Sequence, residues 1–196
     1  MTASAIGGPT PIGKYSDSLL EMIETERLYI RKFTLDDLPW LIEMRGDPDV
    51  YKYLGGWERQ NPEAVAKRFQ FYLQNYEKLG FGVCAMQLKE SGEMIGSSGL
   101  QPLEDTGEIE VGYNLAKRFW RQGYGEECAR AWIKYGFETL GLERIVAVAY
   151  PENVGSWRIM EKCGMTYQDT QVHYGVECVY YAITREEFQK LESVNK

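Results

Sequence analysis

At 196 residues, 44% of them hydrophobic, the chain is long enough for one substantial core and short for two. Its 22 basic and 29 acidic residues give a net charge of −7, the wrong sign for a general nucleic-acid surface and compatible with a cationic substrate or partner. Four scattered cysteines without a CxxC pair, and one histidine, leave too few soft ligands for a zinc site, so free thiols and no metal are expected.

The opening "MTASAIGGPTPIGKYSDS" has neither a basic region leading into an apolar run nor any periodicity. Residues 1–22 are therefore expected to be a flexible extension, and 23–196 a single domain of a cytoplasmic protein with no membrane span. "ERLYIRKF" alternates like a strand. Thr34 with Asp37 resembles a capping box that opens a helix through "LPWLIEMR", and Asn61-Pro62 opens "EAVAKRFQFYLQNYEKL", with Val65, Phe69, Tyr72 and Tyr76 along one face. "FGVCAMQL", "MIGSSGL" and "GEIEVGYNL" read as an antiparallel meander. A helix over "EECARAWIKYGFETL", a buried strand "ERIVAVAY", a helix "SWRIMEKCG", strands "MTYQDTQVHY" and "VECVYYAI", and a short last helix capped by Thr184 and Glu187 complete the chain. The order β-α-α-β-β-β-α-β-α-β-β-α indicates an α+β fold with crossovers and no internal repeat.

The segment "RFWRQGYGEEC" places Gly123 and Gly125 at the opening of a helix. Helix N-termini present unpaired N–H groups and partial positive charge, so two glycines there suit a pyrophosphate cradle, although a tight strand-to-helix turn would use them as well. No Gly-Lys-Ser/Thr follows, and the third glycine of a dinucleotide fingerprint would fall on Cys128, so neither of those motifs applies. Gly112 lies inside the strand just ahead, a position that often marks a close backbone approach to a ligand. Further on, "YPENVGSWRIMEKCGM" supplies Asn153 and Ser156 at the start of a helix.

With these three segments in order, the chain resembles the GNAT superfamily of N-acetyltransferases, from about Thr25 to Phe188. "ETERLYIRKFTLDDLPWLIEMRGDPDV", "WRQGYGEECARAWI" and "NVGSWRIMEKCGM" are most similar to the subgroup that includes ribosomal-protein N-terminal acetyltransferases. The resemblance implies one domain with a mixed, mostly antiparallel sheet of about seven strands, helices on both faces, and a splay at the coenzyme site. It implies acetyl-coenzyme A as cosubstrate and an amine acceptor, a protein N-terminus or a small molecule, with no nucleic acid, membrane or metal. A homodimer is compatible with it.

Carried over by residue, the signature falls on Trp120 to Gly125, so that backbone N–H groups of Arg121, Gln122, Gly123, Tyr124, Gly125 and Glu126 would hold the pyrophosphate. Tyr113, Asn114 and Leu115 would pair with the pantetheine arm, Asn153 would bond it, and Ser156 would lie near the thioester sulfur. Many members have a tyrosine where this chain has Met160, which cannot protonate a leaving thiolate; Ser156 is the substitute, with a helix-cap role as its alternative. Glu110 matches a glutamate frequent in the family, and strand alternation puts Glu108 on the same face, so the two are candidates for receiving the amine proton or are solvated strand-edge residues. Tyr53 and Trp57, in the "YKYLGGWERQ" loop, are expected at the acceptor. Cys163, Tyr174, Tyr180 and Tyr181 carry packing readings, and His173 is read as an exposed or core-rim residue rather than a catalyst. A coenzyme-binding sensor without chemistry is the alternative function, with Met160 as its hint.

Overall fold

The computed structural model describes residues 22–104 and 106–194; apart from Met22, the extension expected at 1–22 lies outside them. The strands are β1 (Met22–Glu24), β2 (Leu28–Arg31), β3 (Val83–Leu88), β4 (Met94–Pro102), β5 (Ile109–Leu115), β6 (Arg144–Ala149), β7 (Thr166–His173) and β8 (Val176–Thr184). The helices are α1 (Leu38–Arg45), α2 (Pro48–Tyr51), α3 (Trp57–Gln60), α4 (Pro62–Leu79), α5 (Tyr124–Glu138), α6 (Val154–Lys162) and α7 (Arg185–Val194). The strands form one eight-stranded sheet in the order β1-β2-β3-β4-β5-β6-β8-β7, antiparallel except where β5 meets β6. The expected α+β architecture holds. The additional strand is β1, three residues ahead of the first alternating run, and the expected "YKYLGGWERQ" loop contains the end of α2 and the single turn α3.

Sequence explains the elements that flank the sheet. Asp37 accepts from the Thr34 N–H at 2.8 Å and from its hydroxyl at 3.1 Å, and so starts the 3-10 turn that leads into α1. Asn61 Oδ1 accepts from the Ala64 N–H at 3.0 Å, with Pro62 at the first helical position of α4. Val65, Phe69, Tyr72 and Tyr76 are buried, as their spacing predicts.

Two layers of helix cover the sheet. On one face Leu28, Ile30, Leu100, Val111, Ile145, Ala147 and Ile183 meet Trp132, Ile133 and Phe137 of α5. On the other, Val83 and Ala85 meet Leu41 and Met44 of α1 and Val65, Phe69 and Tyr72 of α4. The α5 stripe runs through Cys128, Trp132, Ile133 and Phe137. All four cysteines are free and buried, and burial pushes the Cys84 and Cys163 thiols up to about 12, in keeping with packing roles.

Trp132 is fully buried and donates its indole N–H to Ser98 Oγ on β4 at 2.9 Å. Trp132→Phe leaves that hydroxyl without its donor and the core underfilled, a loss of about 2–3 kcal/mol, or roughly 5–10 °C in Tm by differential scanning calorimetry.

Candidate functional site

β5 and β6 touch at one registered pair, Glu110 opposite Val146, and then part, while β5 stays bonded to β4 as far as Leu115. Antiparallel pairing points the polar groups of successive residues to opposite sides. The Ala116 N–H faces β4 and donates to the Ile95 carbonyl at 2.9 Å, so Tyr113 and Leu115 turn their backbone groups into the gap, and Asn114 turns its own toward β4. The Leu115 carbonyl receives the Trp120 indole N–H at 2.8 Å, which ties the next loop to the end of the strand. The gap belongs to a cleft of about 920 Å³ lined by β5, the N-termini of α5 and α6, and residues of α1, α3 and α4.

At one end of the cleft the chain turns into α5. Arg121 and Gly123 adopt left-handed φ of 60° and 87°, and Gly123 caps the helix without a side-chain bond. The first-turn N–H groups have no intrahelical acceptors, and Arg121, Gly123, Tyr124, Gly125 and Glu126 line the cleft beside them. The two glycines have separate physical reasons. Gly123 supplies the left-handed backbone, whereas a Cβ on Gly125 would stand 2.8 Å from Ile159 Cδ1, so this glycine lets α6 press on α5. Gln122 is not among the lining residues; its side chain donates to the Arg118 carbonyl at 2.7 Å. Burial would raise the Glu126 carboxyl, but hydrogen bonds from Arg130 and Lys162 outweigh it and hold the group below its ordinary value.

A buttress that sequence reading missed fixes this turn. Glu127 accepts from the Thr25 hydroxyl at 2.5 Å, the Arg27 N–H at 2.8 Å and the Arg27 guanidinium at 2.7 Å. Arg27 also donates to the Gln122 carbonyl at 3.0 Å and lies 4.3 Å over the Tyr124 ring. Thr25 and Arg27 belong to the "ETERLYIRKF" stretch that carries the resemblance, and both are spent on α5.

At the other end stands Glu110, 5% exposed. It accepts a hydrogen bond from Gln101 and one from the Tyr174 hydroxyl at 2.5 Å. Burial raises its pKa, and the two hydrogen bonds offset part of that effect. Tyr174 and Gly175 form the two-residue turn between β7 and β8 with φ of 54° and 75°, a type I′ geometry. Glu104 holds this non-glycine residue in place by accepting from its N–H at 2.9 Å, and also contacts buried His173 at 3.1 Å. Tyr174 is therefore a turn residue delivered to the cleft, not a strand-packing one. Glu108 is on the same side but occupied elsewhere: Tyr180 donates to it at 2.6 Å, Arg144 lies 3.4 Å away, and it does not line the cleft.

Ser156 and Asn153 line the cleft at the start of α6. The cap position is Asn153, so Ser156 is not the cap; its hydroxyl faces the Tyr113 hydroxyl at 3.4 Å, and Tyr113 donates to the Ser156 carbonyl at 2.8 Å. Asn153 makes no side-chain cap bond. Met160 is buried at the cleft wall. Tyr53 lines the cleft, 6.4 Å from Tyr150 ring to ring, whereas Trp57 is 49% exposed, packs edge-on against Tyr51 and lies outside the lining.

A family model described as Acetyltransferase (GNAT) domain matches residues 27–166. Among curated relatives, the uncharacterized N-acetyltransferase p20 of Bacillus licheniformis is 32% identical over 146 residues, 72% of this chain and 80% of that protein. FsC-acetyl coenzyme A-N(2)-transacetylase of Aspergillus fumigatus is 28% identical, over 87% of this chain and 79% of that protein. Among solved structures, the acetyltransferase of Agrobacterium tumefaciens superposes with a TM-score of 0.75 at 28% identity, covering 87% of this chain and 96% of that one.

Arg27→Ala removes the charge that joins Gln122, Tyr124 and Glu127. The expected result is about a tenfold rise in the Kd for coenzyme A by isothermal titration, the equivalent of ~1.4 kcal/mol, with β-sheet content unchanged by circular dichroism.

Proposed function

The chain belongs to the GNAT acetyltransferase family and is an acetyl-CoA-dependent acetyltransferase; on that premise we propose that the cleft where β5 leaves β6 is its transfer site and that the acceptor is a primary amine, a protein N-terminus or a small molecule. The observation that carries this reading is the single pair Glu110–Val146. It puts a buried carboxylate at the point where the strands part, beside the backbone edge of Tyr113. The Thr25-to-Arg31 motif favours the subgroup of ribosomal-protein N-terminal acetyltransferases within the family.

Acetyl-coenzyme A supplies an activated thioester carbonyl. In this reading Tyr113 and the Leu115 N–H bind the pantetheine as an added strand, and the α5 N-terminus from Arg121 to Glu126 receives the pyrophosphate. Asn153 bonds the pantetheine with its side chain. The amine nitrogen forms its bond to the acetyl carbon as the carbon–sulfur bond breaks. Glu110 receives the amine proton, directly or through water, and its raised pKa makes it a better base than an exposed glutamate. Ser156 donates a hydrogen bond toward the departing sulfur. With Glu108 held by Arg144 and Tyr180, one carboxylate rather than two serves as base. Proximity and orientation supply most of the acceleration.

The first test is incubation with acetyl-coenzyme A and a panel of amines, read as free thiol. Thiol release with acetylated amine is expected; coenzyme A binding without turnover of any amine would make the chain a sensor.

Glu110→Gln should retain coenzyme A affinity and lose about 10²-fold in kcat at pH 7. The deficit should shrink as pH rises, and be larger for an acceptor amine of pKa about 10 than for one of about 8. The same variant has a stability signature. Folding raises the Glu110 pKa, so its contribution to stability is complete below the ordinary 4.5 and is lost as pH rises through the raised value. The amide escapes that loss: it should match the parent's stability at low pH and exceed it once pH has climbed above the raised value, in urea titrations.

Ser156→Ala should lower kcat about tenfold and change the acetyl-coenzyme A KM less, because a hydrogen bond to developing thiolate is strongest in the transition state. An unchanged kcat would remove Ser156 from the chemistry.

A further inference from the structure

The wall of the cleft opposite α5 carries three arginines: Arg45 of α1, Arg59 of α3 and Arg68 of α4. Arg45 is 2% exposed, yet its partners are neutral: Tyr72 accepts from it at 3.0 Å, Gln60 at 3.4 Å, and its Nε has no partner. None of the three has an ion pair among the described residues. A buried guanidinium without a counter-charge is costly, and its planar fork is shaped to receive a carboxylate or phosphoryl oxygen pair. The cation on Arg68 also acts electrostatically on Tyr174, whose hydroxyl donates to Glu110, so it stands near the proton-accepting end of the cleft. Of the three carboxylates that line the cleft, Glu110 is bonded to Gln101 and Tyr174, Glu126 is paired with Arg130 and Lys162, and Glu152, just ahead of α6, is in no ion pair among the described residues and is paired with none of the three arginines. The net charge of −7 favours a cationic partner on average, but this wall has the opposite sign.

We propose that the acceptor is an amine that also carries an anionic group, a carboxylate or a phosphoryl, received by Arg45 and Arg68 with Arg59 at the rim. The proposal rests on the transfer reading of the same cleft. Amine at Glu110 and anion at the arginines then fix both ends of one small acceptor, with Tyr53, Tyr72 and Tyr150 lining the space around it.

The test uses transfer products, which remove amine basicity from the comparison. N-acetylalanine, N-acetyl-1-aminoethylphosphonate and N-acetylalaninamide, and the matching phenylalanine series, are titrated calorimetrically into the full chain saturated with coenzyme A. The acid or the phosphonate is expected to bind at least tenfold more tightly than the amide, and whichever binds more tightly identifies the anion. Arg68→Gln, on a half-buried helix position, should abolish the difference without changing the Kd for coenzyme A. Arg45→Gln, if it folds, should do the same. The parent amines are assayed in parallel as acceptors. An amide bound as tightly as both anions, no binding in either series, or an anion preference that survives Arg68→Gln overturns the proposal. Selective anion binding with no amine acetylated would sink the transfer reading and leave only an anion site at the arginines; acetylation of the amides on a par with the acids would sink the anion requirement and leave the transfer reading standing.

Discussion

β5 and β6 run side by side for one residue pair and then separate, and the rest of the site depends on that separation. A strand edge left unpaired inside a protein presents N–H and C=O groups that must be satisfied by something. Here the Leu115 carbonyl is satisfied by Trp120, and the Tyr113 groups face the cleft. The parallel direction of this one pairing follows from the α5 crossover between the strands. The same crossover carries the N-terminus of α5 to the side of the gap. A backbone edge facing the cleft, a helix dipole and a carboxylate are thus brought together by one topological event.

Such a gap would close or slip unless its rims were held. On the α5 side, Glu127 gathers three donors from Thr25 and Arg27, and Gly125 removes the one side-chain atom that would keep α6 from resting on α5. On the β8 side, Glu104 holds the Tyr174 turn, and Tyr174 in turn holds Glu110. Both rims therefore rely on carboxylates accepting several hydrogen bonds. The two environments push in opposite directions: Glu127 is partly buried among cationic and hydroxyl donors and is held below its ordinary value, whereas Glu110 has only neutral donors and is raised. One carboxylate is suited to hold structure at neutral pH, the other to exchange a proton.

Much of the fold was legible from local pattern. Strand alternation, the Asn61-Pro62 and Thr34–Asp37 starts, and the glycines of the α5 turn are properties of a few consecutive residues, and each element formed where its pattern stood. The short strand β1 and the single-turn α2 and α3 lack enough residues to display a period, and tertiary contacts define them. Glu110 was singled out because it matches a glutamate frequent in the family two residues ahead of Gly112, and Ser156 because it follows Asn153 in a helix start that matches the family. Trp57 was misjudged for a simple reason: a loop sequence does not say which of its aromatic rings turns inward.

By itself the sequence determined the order of the longer elements and the segment from Trp120 to Gly125, because these rest on periodicity and backbone conformation, which act over a few residues. Only the tertiary structure decided which side chains complete the site. Thr25 meets Glu127 across 102 positions, and Tyr174 meets Glu110 across 64. Arg45 stands in the last turn of α1, a place where a cation can satisfy helix carbonyls. It is buried, because α3 and α4 fold over it and, among the described residues, bring the neutral Gln60 and Tyr72 to its guanidinium. A pattern of apolar and polar residues records how deep a position lies; what it meets there depends on which segments the chain packs against it.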